Sequence, residues 1–182
     1  MSEPRPESCA TPLWLLDIDG VVNAVAREGA LDAWPRSAWV RRMITTWVPD
    51  RGMMTLPILA ARPVLDFITQ VHESGSAEIR WHSTWRTAAV TAFAPMLGLP
   101  AIPISIAPEW TERPVGLWWK LPAAQRAVAT GRRLIWTDDD LRFYAHEIGD
   151  LAQRDDALVI GPPSDTGLTP THLAAIAVFI GQ

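Results

Sequence analysis

The sequence has 182 residues, of which 48% are hydrophobic and 20% are charged, proportions typical of a globular domain with a sizeable core. The net charge of −4 excludes a general basic field that would attract nucleic acid or an acidic membrane. A single cysteine, Cys9, excludes an internal disulfide, and no apolar run reaches transmembrane length. We expect a cytoplasmic protein with a flexible arm over residues 1–11 and a single domain over residues 12–182.

The first half of the chain predicts a buried strand followed by a flap. Residues 12–18 are almost continuously apolar, which is typical of a strand buried on both faces of a parallel sheet. Residues 41–57 contain two strand-like segments on either side of the turn Pro49-Asp50-Arg51-Gly52, and this pattern predicts a β-hairpin. This hairpin lies within a small insertion over residues 24–60, and its position after the first strand predicts a flap over the end of that strand.

Beyond the flap, helical and strand patterns alternate. Helices are predicted over residues 60–74, 87–97, 116–130 and 141–151. Gly75 ends the first of these, and Pro122 either lies in the first turn of the third or marks its true start. Thr169 caps a last helix that has Pro170 at its first position. Strands are predicted over residues 77–82, 132–137 and 157–160, with a further short strand within 101–114. This alternation predicts an α/β fold with a mainly parallel sheet flanked by helices.

Polar residues follow three of the predicted strands. Asp17 and Asp19 follow the first strand, residues 83–84 (Ser-Thr) follow the second, and residues 138–140 (Asp-Asp-Asp) follow a later one. Lys120 lies on a predicted helix that leads back to the same edge of the sheet. Because ligands of such sheets bind at the carboxyl ends of the strands, we expect these side chains to converge.

The chemistry of this set favours a phosphorylated substrate. Clustered aspartates repel one another unless a cation neutralises them, and ligation by oxygen alone suits Mg²⁺. A cation, a lysine and a hydroxyl together stabilise the oxygens of a phosphoryl group. Asp17 is a candidate nucleophile, and Asp19 is a candidate acid for the leaving oxygen and base for an attacking water.

The order of these motifs over residues 13–140 resembles the haloacid dehalogenase (HAD) superfamily. The first motif, Asp-x-Asp-Gly-Val-Val-Asn, occupies residues 17–23. Three further segments look like the HAD domain of Swiss army knife RNA repair proteins; they are Trp81-His82-Ser83-Thr84-Trp85, Trp119-Lys120-Leu121 and Ile135-Trp136-Thr137-Asp138-Asp139. The resemblance implies a HAD-like Rossmannoid domain with a small hairpin flap and no large cap.

The resemblance also implies a role for each motif residue. Asp17 would be the nucleophile and a Mg²⁺ ligand, and Asp19 the general acid/base with its backbone carbonyl on the metal. Ser83 would bind the transferring phosphoryl group, and Lys120 would neutralise charge shared by Asp17 and the phosphate. Asp138 and Asp139 would complete the metal site.

Two registers stay open within these motifs. Thr84 is adjacent to Ser83 and is the alternative hydroxyl, although Ser83 follows the strand end more directly. Asp140 extends the aspartate run, so the metal pair is either residues 138–139, which directly follow the apolar strand, or one residue later; we expect Asp140 to cap the next helix. Arg86, two residues beyond Thr84, is a further candidate for contacting phosphate.

His82 and the tryptophans beside the motifs have two interpretations. His82 either packs against a neighbouring helix or acts as an acid/base. The tryptophans either pack in the core or stack on a nucleobase; they are Trp81, Trp85, Trp118, Trp119 and Trp136. Packing is the default interpretation for both.

These features lead to the hypothesis of a Mg²⁺-dependent phosphatase that forms an aspartyl-phosphate. Its substrate would be a phosphorylated small molecule, such as a nucleotide, or a phosphorylated nucleic-acid end. The alternative is a non-catalytic HAD module that binds phosphate or a nucleotide in a nucleic-acid repair system. Asp19 and Lys120 favour the enzyme, since pure binding requires neither. The sequence leaves the oligomeric state open.

Overall fold

The computed structural model describes residues 11–25, 32–48, 51–105 and 118–181. The predicted flexible arm over residues 1–11 therefore lies almost entirely outside the described residues, as does Cys9. Within the described residues, no helix is both long and apolar enough to cross a bilayer.

A four-stranded parallel sheet and a separate antiparallel hairpin contain the strands. In chain order these are β1 (Leu13–Leu16), β2 (Trp39–Val48), β3 (Gly52–Ala61), β4 (Glu78–Trp81), β5 (Leu134–Thr137) and β6 (Ala157–Ile160). The parallel sheet has the strand order β4-β1-β5-β6, and β2 pairs with β3. The predicted α/β class with a parallel sheet is confirmed.

Helices cover the sheet and connect its strands. The α-helices are α1 (Arg62–Ser74), α2 (Ala94–Leu97), α3 (Leu121–Ala129), α4 (Gly149–Ala152) and α5 (Pro170–Ile180). A π-helical segment, Ala89–Phe93, runs directly into α2, and short 3₁₀ helices occupy Arg36–Ala38 and Asp139–Tyr144. As predicted, Thr169 caps α5, with Pro170 in its first turn.

The core lies on both faces of the sheet because successive residues of β1 point in opposite directions. Trp14 and Leu16 pack in a cluster that includes buried residues of α1 and α5. Leu13 and Leu15 pack in a second cluster with buried residues of α3 and α4. All four β1 side chains are buried, which explains why the strand is continuously apolar in sequence.

Three predicted elements differ from the structure. Helix α3 begins at Leu121, as the alternative start at Pro122 predicted, because a proline fits the first turn of a helix and not its interior. Lys120 therefore precedes the helix and does not lie within it. The predicted helix over residues 141–151 is instead a 3₁₀ helix and a short α-helix with turns between them. Of the strand predicted within 101–114, the described part shows an isolated bridge between Ile104 and Trp81.

The sheet topology brings three strand ends level with one another. Strand β1 has β4 on one side and β5 on the other. The strands remain parallel, but the chain adds β4 on one side of β1 and the later strands on the other, so β1 lies at the switch point of the sheet. The backbone N–H of His82 donates to Leu16 at 2.8 Å, and that of Asp17 donates to Thr137 at 3.1 Å. The first residues after β1, β4 and β5 therefore form one row.

The hairpin is longer than predicted and lies beside this row. Its register runs from Trp39 opposite Ala61 to Val48 opposite Gly52. Ile44 and Ile58 point into the core cluster shared with α1, which fixes one face of the hairpin. The hairpin contacts the turn after β1, where Asn23 Oδ1 accepts a hydrogen bond from the backbone N–H of Leu59 at 2.8 Å.

Candidate functional site

A lysine held between two aspartates forms the centre of the site. Lys120 Nζ lies 2.7 Å from Asp17 Oδ2 and 2.6 Å from Asp138 Oδ2. Its side chain is only 3% exposed, and it is the only lysine in the sequence. Asp17 also accepts a hydrogen bond from the backbone N–H of Ile18 at 2.8 Å. Three residues far apart in sequence thus form one buried ionic cluster at the strand ends.

The start of α3 places this lysine. Lys120 directly precedes α3, which begins at Leu121 with Pro122 in its first turn, and this start of the helix lies at the strand ends. The ammonium also lies 5.8 Å from the ring centre of Trp118 and 5.6 Å from that of Trp119, distances at which aromatic faces attract cations. The two tryptophans therefore support the lysine from outside the carboxylate pair.

A third carboxylate, that of Asp139, lies beside this cluster in space that a glycine leaves open. Single oxygen atoms of Asp17, Asp138 and Asp139 all lie within 4.8 Å of one another. Gly20 has a φ of +71°, and a Cβ at this position would lie 2.3 Å from a carboxylate oxygen of Asp139. The glycine is needed for both its backbone conformation and the space that Asp139 occupies.

The three carboxylates could hold a metal ion. Each offers an oxygen atom, the ligand type that hard divalent cations such as Mg²⁺ take, and the three atoms lie near one another. Burial and the negative charge of Asp17 raise the pKa of Asp138 above its ordinary range, and the same two causes raise the pKa of Asp139 to about 6. Such mutual repulsion is what a divalent cation relieves. Asp140 is not part of this trio.

The cap of the following 3₁₀ helix is Asp138, so the predicted capping role of Asp140 is wrong. Asp138 Oδ1 accepts a hydrogen bond from the backbone N–H of Asp140 at 3.1 Å. Asp138 stands one residue before the helix with an extended backbone, which is the position a cap requires. One oxygen of Asp138 thus binds the helix and the other binds Lys120.

Asp19 is held separately by two neutral donors. Trp85 Nε1 donates to Asp19 Oδ2 at 2.8 Å, and Asn23 Nδ2 donates to Asp19 Oδ1 at 2.7 Å. Asn23 Oδ1 in turn accepts the backbone N–H of Leu59 in β3 at 2.8 Å. Burial raises the pKa of Asp19, whereas these two hydrogen bonds oppose the rise. Asp19 therefore has a different environment from Asp17, whose partner is a cation.

His82 is a buried structural contact of the lysine. It is 1% exposed, its Nδ1 lies 2.6 Å from Ser105 Oγ, and its Nε2 lies 3.0 Å from the carbonyl oxygen of Lys120. A carbonyl only accepts, so Nε2 carries the proton and Nδ1 accepts from Ser105. Burial and the charge of Lys120 lower the pKa of His82 to about 3. The ring is therefore neutral at physiological pH and both of its nitrogens are occupied.

The two hydroxyl candidates occupy different environments. Ser83 is buried directly after β4, and its Oγ accepts a long hydrogen bond of 3.4 Å from the backbone N–H of Trp85. Thr84 is exposed and lines a cavity that it shares with Asp19. Arg86 is half-buried in the next turn with a φ of +48°, a conformation that only a minority of non-glycine residues adopt.

A cavity of about 200 Å³ opens beside Asp19, beneath the hairpin. Its lining residues come from two parts of the chain. From the hairpin they are Thr46, Trp47, Val48, Arg51, Met54 and Leu56, and from the domain they are Asp19, Thr84, Trp85 and Ala88. The cavity thus joins a carboxylate to a mainly apolar wall.

Three partners of the candidate residues were not predicted from sequence. Ser105 lies in a loop with no motif around it, and Asn23 appeared only as the last residue of the first motif. Trp85 was identified as a residue for packing or base stacking and not as a hydrogen-bond donor to Asp19. Of the other flanking tryptophans, Trp81 and Trp136 are core residues, as the default interpretation predicted.

Comparison with known proteins identifies no relative of this chain. No protein-family model, no curated protein and no solved structure matches the chain.

Proposed function

We propose that the protein is a Mg²⁺-dependent phosphatase of the HAD superfamily that acts through an aspartyl-phosphate on nucleotides or phosphorylated nucleic-acid ends. The observation that carries the proposal is the buried contact of Lys120 with both Asp17 and Asp138. Asp139 lies beside them and Asp19 stands apart on neutral donors. A binding protein for phosphate has no need of this division between a charged pair and a separate carboxylic acid.

The carboxylates have two roles in this mechanism. Asp17 attacks phosphorus, so that a bond forms between its oxygen and phosphorus while the bond to the leaving oxygen breaks. Asp19 gives its proton to that leaving oxygen, and then removes a proton from the water that hydrolyses the aspartyl-phosphate. The second step releases inorganic phosphate and regenerates Asp17.

The remaining residues hold charge and position. Lys120 neutralises Asp17 and the incoming phosphoryl oxygens, while Asp138 holds its ammonium group and His82 holds its backbone carbonyl. Asp17, Asp138, Asp139 and the backbone carbonyl of Asp19 would hold Mg²⁺, which supplies positive charge to the phosphoryl oxygens when bound. Ser83, with Thr84 as the alternative hydroxyl, and Arg86 are the proposed further contacts of the phosphoryl group.

Hydrolysis of 4-nitrophenyl phosphate with and without Mg²⁺ tests the proposal, using Asp17→Asn as the decisive variant. We expect Mg²⁺-dependent turnover that falls at least about a thousandfold in Asp17→Asn, because the nucleophile is removed. The matched control is Asp155→Asn, an exposed aspartate remote in sequence from the motifs. Hydroxylamine added during turnover should modify Asp17 specifically, as detected by mass spectrometry of its peptide.

Undiminished activity in Asp17→Asn would contradict the proposal. Mg²⁺-dependent phosphate binding without turnover would instead favour the non-catalytic module. A panel of nucleotides, sugar phosphates and oligonucleotides with 3′- or 5′-phosphates would then identify the substrate of an active enzyme.

A further inference from the structure

Trp85 makes two contacts that no role in the proposed mechanism uses. Its indole N–H donates to Asp19 at 2.8 Å, and its ring lines the cavity of about 200 Å³ beside that same carboxylate. On another side the ring packs against Phe93, with ring centres 5.5 Å apart. One side chain therefore holds the proposed acid in place and forms part of the wall next to it.

The cavity has the size and chemistry for a single ring. Sites for drug-sized ligands commonly have roughly 300–1,000 Å³, so a cavity of about 200 Å³ suits a smaller group. The hairpin contributes the apolar side chains Val48, Met54 and Leu56 to the lining, together with the polar residues Thr46 and Arg51. Asp19 lines the same cavity, so a group that fills the cavity lies beside the carboxylate that would protonate its leaving oxygen.

We infer that this cavity binds the leaving group of a phosphomonoester and that Trp85 makes it selective for flat, unsaturated leaving groups. The inference rests on the proposed phosphatase function. A flat ring would stack against the indole, whereas a puckered saturated ring would lose that contact. As the bond between phosphorus and the leaving oxygen breaks, the proton of Asp19 passes to that oxygen and the phosphoryl group passes to Asp17. Trp85 is thus a positioning residue for Asp19 as well as a determinant of specificity.

Benzyl phosphate and cyclohexylmethyl phosphate test the selectivity. Both leave as a primary alcohol through a methylene carbon, so they differ mainly in whether the ring is flat. We expect kcat/KM of the wild-type protein to favour benzyl phosphate by about three- to tenfold, the range of an aromatic pair contact. The preference should persist in Trp85→Phe and disappear in Trp85→Leu.

Trp85→Phe separately tests the positioning of Asp19, because it keeps a ring against Phe93 and removes the indole N–H. We expect kcat/KM for benzyl phosphate to fall by about tenfold, since its alkoxide leaves only when an acid protonates it. The value for 4-nitrophenyl phosphate should fall by clearly less, because nitrophenolate is a weak base that needs little help from an acid. Loss of packing alone would reduce both values equally.

Trp34→Phe is the matched control, since Trp34 also loses an indole hydrogen bond, to the carbonyl of Leu168 at 2.9 Å. Its ratio of benzyl to 4-nitrophenyl turnover should equal that of the wild type. Equal losses on both substrates in Trp85→Phe, or a wild type that prefers the saturated ring, would overturn the inference and leave the phosphatase intact. A wild type inactive on all three esters would overturn the phosphatase proposal and the inference together.

Discussion

At the scale of single residues, the site depends on how two carboxylates balance the positive charge of Lys120. Burial alone would lower the pKa of this lysine, but the attraction of Asp17 and Asp138 exceeds that effect and raises it. The lysine is therefore charged in the folded protein and stabilises two carboxylates that are almost completely buried. A buried pair of this kind contributes little over apolar residues, yet loss of one partner is costly.

Lys120→Met should destabilise the metal-free protein by about 3–5 kcal/mol, because Asp17 and Asp138 remain buried without a cation. Urea unfolding in the presence of a chelator measures the change. Adding Asp138→Asn to this variant should recover part of the loss, since one of the unpaired charges is removed.

The matched control is Arg154→Met, which removes the cation of the exposed pair with Asp156. Water screens that pair, so little change in the free energy of unfolding is expected. A loss for Lys120→Met no larger than the loss for this control would contradict the proposed role of the buried cluster.

At the scale of elements, the turn after β1 brings Asp17 and Asp139 together. Gly20 adopts a left-handed backbone, and Asp139 fills the space where a side chain on Gly20 would lie. The backbone N–H of Gly20 donates to Asn23 at 2.8 Å, which closes the turn. The short loop and the 3₁₀ helix after β5 therefore depend on each other for their shape.

Gly20→Ala should cost more than Gly75→Ala in the free energy of unfolding. Both glycines have a positive φ, of +71° and +64°, so each change carries a similar conformational penalty of about 1–2 kcal/mol. At Gly75 a Cβ meets nothing within 4 Å, whereas at Gly20 it collides with Asp139 and should add about 1–3 kcal/mol.

Urea unfolding compares the two alanine variants, and calorimetric titration with Mg²⁺ compares their affinities. We expect weaker Mg²⁺ binding only in Gly20→Ala, because only there must Asp139 move. Equal stabilities and unchanged affinities in the two variants would show that the contact with Asp139 has no such effect.

At the scale of the whole molecule, the buried histidine links stability to pH. The pKa of His82 falls from 6.5 to about 3 on folding, because burial disfavours the charged ring. Between these values the unfolded chain binds the proton more tightly than the folded chain. The stability contributed by neutral His82 is therefore complete above about pH 6.5 and is lost as the pH falls toward 3.

His82→Gln should reduce this acid sensitivity, because glutamine does not titrate. Urea unfolding of both proteins at several pH values isolates the effect as a difference between them. The comparison is needed because the raised pKa values of Asp138 and Asp139 have the opposite effect on stability. The stability that these two carboxyl groups contribute is lost as the pH rises. Parallel pH profiles for the two proteins would contradict a neutral, buried His82.

The sequence by itself determined the class of fold and the residues at the strand ends. Continuous apolar runs specified the buried strands, and Gly75, Pro122 and Thr169 marked helix ends because their backbone or capping preferences are local. The parallel order of strands then required residues after β1, β4 and β5 to meet at one edge. Asp17, Lys120 and Asp138 were therefore accessible to prediction.

Only the tertiary structure decided the partners of those residues. Trp85 reaches Asp19 across 66 positions, and His82 reaches both Ser105 and the carbonyl of Lys120. The cap of the helix after β5 is Asp138, two residues before the predicted Asp140, and the sequence does not separate them because both aspartates have the same local preference. Side-chain directions at a strand end depend on how turns and neighbouring strands pack, and no local pattern in the sequence encodes that arrangement.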